Sequence, residues 1–246
     1  MLKEDQVKQF KENGHLTISD VFSSAEMEAA IEDARVWAEE FRQELNEEQR
    51  NWYLEDASDD EAPLRKLDSP VFHREVFRKL ARHAALVEMV EQLIGTGVTI
   101  IFSQIFLKPP ERGGPKPIHQ DNHYFGPDDT DAMVTAWIAL DDATPENGCL
   151  YYGDGSNNEA VLEHFAPPDE PFNLQVPESI ASRYAMTPAP VPRGGVSFHH
   201  GNTLHQSGIN KSSLPRRALA CHYLRNYARL ATPALPYDSA TFLKVT

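Results

Sequence analysis

Ile118-His119-Gln120-Asp121-Asn122-His123-Tyr124-Phe125 is the stretch around which the chain is organised. Its apolar and aromatic residues suit a short β-strand, and on a strand the i, i+2 spacing sends His119 and Asp121 to one face. An imidazole and a carboxylate aimed at one point make two of the three ligands of a 2-His-1-carboxylate site, which leaves positions open on non-haem Fe(II). Taken alone, a His-x-Asp pair most often shares the solvent face of a strand and nothing more. What flanks it decides.

On both sides of this stretch, short apolar or alternating runs recur at 98–107, 117–125, 132–140, 148–152, 194–198 and 217–227, with Pro, Gly and Asn between them. Many short strands with turn punctuation predict a sandwich or barrel. Upstream the texture is helical. Residues 4–13 are polar and helix-prone up to Asn13-Gly14, and His15-Leu16-Thr17-Ile18 reads as a short strand. Ser23 or Ser24 is an N-cap candidate, with Glu26 in the first turn. Met27, Ile31, Ala34, Trp37 and Phe41 then roughly keep helical spacing, which predicts a helix over about 24–45. Residues 51–63 are acidic and read as a loop. A second helical region spans about 70–95, in Phe72, Val76, Leu80, Leu86, Val90 and Leu93, and ends at Gly95.

Helices first and strands later predict a mainly β, α+β fold rather than alternating βαβ units. The expected organisation is a single domain over 1–246, with about 1–97 as mostly helical support and about 98–230 as the β core. Residues 153–193 are Pro-rich with little periodicity, the mark of a long functional loop beside the site.

Bulk properties narrow the function. Lys plus Arg total 23 against 37 Asp plus Glu, a formal charge of −14. Such a field disfavours nucleic acid and anionic membrane surfaces, but leaves room for a small anion held by local cations. Cys149 and Cys221 are too few for a disulfide framework or a structural zinc site. The N-terminus carries no basic-then-apolar signal pattern, and no apolar run approaches the ~20 residues of a membrane span. A cytoplasmic setting is expected.

The third ligand has several candidates: His164, His199, His200, His205 and His222. His164 lies in the irregular 153–193 segment, a poor scaffold for a metal. His199 and His200 face opposite ways on a strand. His205 precedes Gly208, Asn210, Ser212 and Ser213, a turn composition, and the strand leaving that turn returns Arg216 or Arg217 beside it. One of these two arginines, whose planar fork matches a carboxylate, would serve as an anion clamp.

The order His119-x-Asp121, then Trp137-Ile138-Ala139-Leu140-Asp141-Asp142-Ala143-Thr144-Pro145-Glu146-Asn147-Gly148-Cys149-Leu150, then His205-x-Ser207-x-x-Asn210-x-Ser212, then Arg216, resembles the phytanoyl-CoA dioxygenase (PhyH) family. The resemblance implies a double-stranded β-helix, a cupin-like jelly roll, with an N-terminal helical layer. It implies an Fe(II)/2-oxoglutarate-dependent dioxygenase that uses O2, releases succinate and CO2, and hydroxylates a C–H bond of a small molecule. It matches His119, Asp121 and His205 to the iron ligands, and Arg216 to the arginine that holds the distal carboxylate of 2-oxoglutarate. Trp137 and Ser207 match positions lining that pocket, Lys66 matches the lysine brought to the co-substrate from the helical region, and Gln104 matches a strand position that is methionine in some relatives, its amide placed to bond either the co-substrate or the substrate.

Two points refine what the resemblance implies. Many relatives carry Pro-Gly-Ser-His after the Asn-Gly-Cys-Leu turn, where this chain has Gly153-Asp154-Gly155-Ser156-Asn157. That alters a loop expected to border the site, so the substrate does not carry over. The carboxylate at 121 points to hydroxylation rather than halogenation, since related halogenases put a small residue there. Tyr124, Phe125, His123, Phe198 and His200 are pocket candidates by their closeness to the ligands. Lys108, Lys116 and Arg112 either receive an anionic substrate or are solvated loop charges. A zinc hydrolase built on the same three ligands, and a non-catalytic jelly-roll binding module, are the competing readings.

Overall fold

A computed structural model describes residues 1–59, 61–168 and 173–246. In chain order the elements are α1 (Glu4–Asn13), β1 (His15–Ile18), α2 (Ser24–Glu44), α3 (Glu47–Tyr53), β2 (Lys66–Asp68), α4 (Pro70–His73), α5 (Glu75–Ala81), α6 (Ala84–Ile94) and β3 (Val98–Lys108). Then come β4 (Lys116–His119), α7 (Asp121–Phe125), β5 (Met133–Ala139), β6 (Leu150–Gly153), α8 (Glu178–Ala181), β7 (Met186–Ala189), β8 (Val196–His200), β9 (His205–Ser207), β10 (Arg216–Arg225) and β11 (Leu243–Lys244).

Two antiparallel sheets face each other. The larger runs β1-β8-β5-β10-β3-β11, with β2 also on β3; the smaller runs β4-β9-β6-β7. Strand alternation divides the larger sheet cleanly. Val134, Ala136, Ile138, Val196, Phe198, Leu219, Cys221 and Tyr223 point outward and join one core with Met27, Ala30, Ala34, Phe77, Leu86 and Val90 of the helical layer. Each large side chain sealed there contributes roughly 1.5–3 kcal/mol, so the helices hold the sheet rigid while its other face is left for chemistry. This is the sandwich that the strand pattern predicts, in the jelly-roll form with an N-terminal helical layer that the family resemblance implies.

Local signals explain most boundaries. Ser23 caps α2, accepting from the Glu26 N–H at 3.3 Å while Glu26 Oε2 accepts from the Ser23 N–H at 2.8 Å. Gly14 ends α1 at φ 81, a left-handed conformation suited to glycine. Five expectations are corrected. The loop expected from residue 51 starts later, because α3 is capped by Asn46 and runs to Tyr53. The 70–95 region is three helices, since Arg74 is extended (φ −127, ψ 124) and the chain turns again at Arg82-His83; Phe72 is left exposed.

The strand expected over 117–125 stops at His119. Gln120 is an extended N-cap, Asp121 opens α7, and Gly126 closes it at φ 54; a carboxylate in a helix's first turn is electrostatically favoured. Finally, 153–193 is not structureless, since Met186–Ala189 pairs with β6. Its residues 169–172 lie outside the described residues. The strands also reach beyond 98–230, because β1, β2 and β11 all join the larger sheet.

Candidate metal centre

His119 and Asp121 sit on a strand-to-helix corner, so strand alternation is not what aligns them. The corner does it. The backbone N–H of Gln120 donates to His164 Nε2 at 3.0 Å, and its side-chain amide donates to the Asn202 carbonyl at 2.8 Å. His205 opens β9, and the β4–β9 pairing sets it directly opposite His119, ring centroids 4.2 Å apart. The Nε2 atoms of His119 and His205 lie 3.8 and 3.6 Å from Asp121 Oδ1. All three ligand atoms fall within 4.8 Å of one another, and all three residues are buried.

The protonation pattern fits a metal. His119 Nδ1 donates to the Pro117 carbonyl at 2.7 Å, and His205 Nδ1 to the Thr203 carbonyl at 2.9 Å. A carbonyl only accepts, so each Nδ1 carries the hydrogen and each Nε2 presents a lone pair. Burial pushes both imidazoles below their usual pKa, which keeps them neutral. Burial works to raise the Asp121 carboxyl, but His205, the hydrogen bond from His199 and the nearby His222 outweigh it and hold it well below the usual range. Two neutral imidazole nitrogens and a carboxylate oxygen are a donor set suited to Fe(II).

The triad faces a cavity of about 410 Å³. Its floor is the inner face of the larger sheet, laid out in rows by the strand register. One row runs Phe102, His222, Thr135, His199, His15; the next runs Asp68, Gln104, Ala220, Trp137, Ser197, Thr17. Lys66, Phe106 and Ala218 follow, and then Lys108 beside Arg216. Ala218 and Ala220 leave a trough between Trp137 and the Gln104–Phe106 edge.

At the end of this trough Arg216 is almost fully buried, at 2 % exposure, with no hydrogen-bond partner for Nε or Nη1 among the described residues. Its guanidinium lies 5.4 Å from the Trp137 ring centroid, and burial pulls its pKa down to about 10. Unpaired buried donors of this kind are costly, and a ligand carboxylate would satisfy them. Arg217, the alternative, points the other way and forks onto Asp141 at 2.7 and 2.8 Å.

Ser207 lines the same cavity. Lys66 and Gln104 line it too, but Asp68 holds their polar ends: Lys66 Nζ reaches Oδ2 and Gln104 Nε2 reaches Oδ1, both at 2.8 Å. Lys108 is buried in the wall and Lys116 is half-buried there, rather than solvated on a loop. Lys108 Nζ bonds the Gly114 carbonyl, and Lys116 Nζ donates to Tyr124 Oη at 2.9 Å. Burial drives both ammonium groups well below their usual pKa. Arg112 is on the surface, paired with Asp59 at 2.9 Å.

Of the pocket candidates, Tyr124 and Phe125 line the cavity and the other three do not. Phe198 is in the helix-facing core. His200 pairs with Asp131 at 3.3 Å, and His123 stacks on His164 with centroids 4.0 Å apart, facing a separate cleft. The Gly153–Asn157 segment also lies elsewhere. Asp154 accepts from His15 Nε2 at 2.8 Å and from Thr187 Oγ1 at 3.1 Å, fastening the N-terminal strand.

Sequence reasoning missed Thr135, Asp68 and Tyr237, and weighed His199 and His222 only as ligands. All five line the cavity. Thr135 was accessible from Trp137 two residues on, which shares its face. Tyr237 follows Pro236 in a tail without periodicity and offered no signal.

A family model described as phytanoyl-CoA dioxygenase (PhyH) matches residues 10–218. The human peroxisomal phytanoyl-CoA dioxygenase is 27 % identical over 241 residues, covering 91 % of this chain and 68 % of its own. A probable alpha-ketoglutarate-dependent hypophosphite dioxygenase of Stutzerimonas stutzeri is 25 % identical over 224 residues, covering 89 % and 77 %. Among solved structures, a non-haem alpha-ketoglutarate-dependent carbocyclase of nogalamycin biosynthesis superposes with a TM-score of 0.77 at 24 % identity, covering 100 % of this chain and 97 % of its own. EctD from S. alaskensis, solved with 2-oxoglutarate and 5-hydroxyectoine, gives 0.75 at 22 % identity, covering 94 % and 79 %.

Proposed function

This chain belongs to the phytanoyl-CoA dioxygenase family, and from that premise we propose that His119, Asp121 and His205 hold its iron and that Arg216 anchors 2-oxoglutarate. The enzyme is a 2-oxoglutarate-dependent non-haem iron dioxygenase, with Fe(II), 2-oxoglutarate and O2 as its cofactor and co-substrates. When bound, the metal supplies the redox chemistry that couples O2 reduction and decarboxylation of 2-oxoglutarate, to succinate and CO2, to hydroxylation of a C–H bond on a small molecule.

The protein's own part is positional. His119 and His205 offer Nε2 lone pairs, their tautomers fixed by the Pro117 and Thr203 carbonyls. Arg216 meets the distal carboxylate and so offsets co-substrate charge in a chain of net charge −14. Trp137 backs the guanidinium, Ser207 supplies a hydroxyl nearby, and Ala218 and Ala220 leave the trough open. Lys66 and Gln104 act on the co-substrate through the Asp68 network that steadies them. The hydrophobic wall of Phe102, Phe125 and Tyr237 excludes water and receives the substrate.

The −14 charge supports a substrate that is neither nucleic acid nor membrane-borne, and none of the described helices is long and apolar enough to cross a membrane. Two buried, unpaired cysteines support a reducing, cytoplasmic setting. Residues 1–246 are read as one catalytic domain because β1, β2 and β11 complete the same sheet as the core strands.

One observation carries the assignment: a three-ligand cluster and a buried arginine with unpartnered donors share one cavity. Anaerobic addition of Fe(II) and 2-oxoglutarate to the metal-free protein is expected to produce a visible metal-to-ligand charge-transfer band, absent in His205→Ala. No band in the wild type, or a band that survives that substitution, would overturn it.

A further inference from the structure

Asp121 has two carboxylate oxygens in unlike surroundings. Oδ1 faces the Nε2 atoms of His119 and His205. Oδ2 accepts from Thr135 Oγ1 at 2.5 Å and from His199 Nε2 at 2.9 Å. These are two charge-assisted bonds on one oxygen, formed in a buried site where such bonds are strongest.

The hydrogen positions follow from counting. A carboxylate only accepts, so Thr135 must give Asp121 its single hydroxyl hydrogen. Thr135 Oγ1 then accepts from His222 Nδ1, 2.8 Å away. On the other side His199 gives its Nε2–H to Asp121, and neutral His199 accepts at Nδ1 from Tyr152 Oη at 3.1 Å. Tyr152 Oη in turn accepts from Ser197 Oγ at 2.9 Å, and Ser197 Oγ from Thr17 Oγ1 at 3.3 Å. Every donor in both chains therefore points toward Oδ2. Thr135, His199 and Tyr152 are all buried, so solvent offers no competing partner.

We propose that Thr135 and His199 are positioning residues that occupy Oδ2 of Asp121 and so restrict it to binding the metal through Oδ1 alone, with Tyr152 holding His199 in the donating tautomer. The proposal rests on the reading of His119, Asp121 and His205 as metal ligands. A carboxylate that binds through one oxygen takes up one metal position instead of two, and the position it leaves free is needed for the co-substrates. Fixing the carboxylate also removes the rotation that would otherwise let Oδ2 swing in.

The test uses Co(II) as a stand-in for Fe(II) on the metal-free protein, because its visible absorption reports coordination number. Thr135→Val keeps shape and removes the donor, whereas Thr135→Ser keeps the donor. His199→Leu and His199→Gln form the same kind of pair, since the glutamine amide can donate. Loss of the donor is expected to weaken Co(II) binding about 10- to 100-fold and to change the absorption spectrum toward higher coordination. The Ser and Gln variants are expected to stay near wild type in both.

Thr135→Val and His199→Leu proteins that bind Co(II) with wild-type affinity and spectrum would overturn the proposal. So would Ser and Gln variants that fall with them, since that would mean packing alone is at work. If either donor-less protein fails to fold, Tyr152→Phe carries the test: it is expected to shift the spectrum in the same direction, and an unchanged spectrum would overturn the proposal. A wild-type protein that binds no Co(II), or a His205→Ala protein that binds it normally, would instead overturn the ligand assignment itself.

Discussion

Arg216 stacks on Trp137, its guanidinium carbon 5.4 Å from the indole centroid, while two of its nitrogens have no partner. The stacking orients the fork without using its donors. Arg216→Ala is therefore expected to weaken 2-oxoglutarate binding by about 10- to 100-fold, the loss of roughly 1.5–3 kcal/mol of charge-assisted hydrogen bonding. Fe(II) affinity should hardly move. Calorimetric titration of each ligand separates the two, and equal losses would show the clamp is elsewhere. Arg217→Ala, which breaks only a partly exposed pair with Asp141, should leave both affinities unchanged.

Lys66 is buried and Asp68 accepts its ammonium at 2.8 Å, while Tyr53 Oη donates to the same carboxylate at 3.0 Å. Asp68→Ala takes the carboxylate from both groups and should cost about 3 kcal/mol of stability. In a chain of this size that lowers the melting temperature by roughly 10 °C. Lys66→Met combined with Asp68→Ala should recover part of the loss. A double variant less stable than Asp68→Ala alone would contradict this account.

Acid should loosen the metal-free protein. Burial pushes His199 down to about 4, against an ordinary value of 6.5, and does the same to His164. Below about pH 6.5 the unfolded chain takes up protons that the folded one refuses, so stability is full above that pH and falls toward pH 4. The slope from His199 is about 1.4 kcal/mol per pH unit, and His164 adds in the same direction. Melting temperatures between pH 7.5 and 4.5 measure it; a flat profile would exclude the effect.

Gly126 ends α7 at φ 54, and a Cβ there would collide with the Thr232 carbonyl. The Thr232 and Ala231 N–H groups both bond the Gly126 carbonyl, at 3.0 and 2.8 Å, and this holds the C-terminal segment whose Tyr237 covers Phe102 and Phe125. Gly126→Ala should destabilise the protein by about 1–3 kcal/mol through backbone strain, with the collision adding to it. Thermal unfolding reads the loss, and an unaltered melting temperature would refute it.

Much of this was legible in the sequence. The helical layer and the core strands follow from periodicity, while the cluster of His119, Asp121 and His205 proposed to hold the metal follows from motif order and the family resemblance. The corner at Gln120 was not, because apolar residues on both sides mimic a continuing strand and the cue, Gly126, lies six residues on. Asp68, Thr135 and Tyr152 were hidden for another reason. Asp68 meets Gln104 through the strand register, Thr135 meets Asp121 at the start of α7, and Tyr152 meets His199 from the opposite sheet, each pair more than ten positions apart in sequence. Residue spacing alone leaves Arg216 and Arg217 open; the family resemblance singles out Arg216, and Asp141 occupies Arg217.

The pairing of β1 with β8 sets a condition on when the enzyme can come into being. His15 lies opposite His199, so β1 has its partner roughly 180 residues later in the chain. At ordinary rates of translation that is a wait of roughly ten to forty seconds. For that interval the nascent chain carries an unpaired strand and a half-built sheet, and such open edges invite pairing with other chains. Arg216 emerges later still. A ribosome-bound fragment ending before β10 would thus hold all three proposed metal ligands yet lack Arg216, the proposed anchor of the co-substrate.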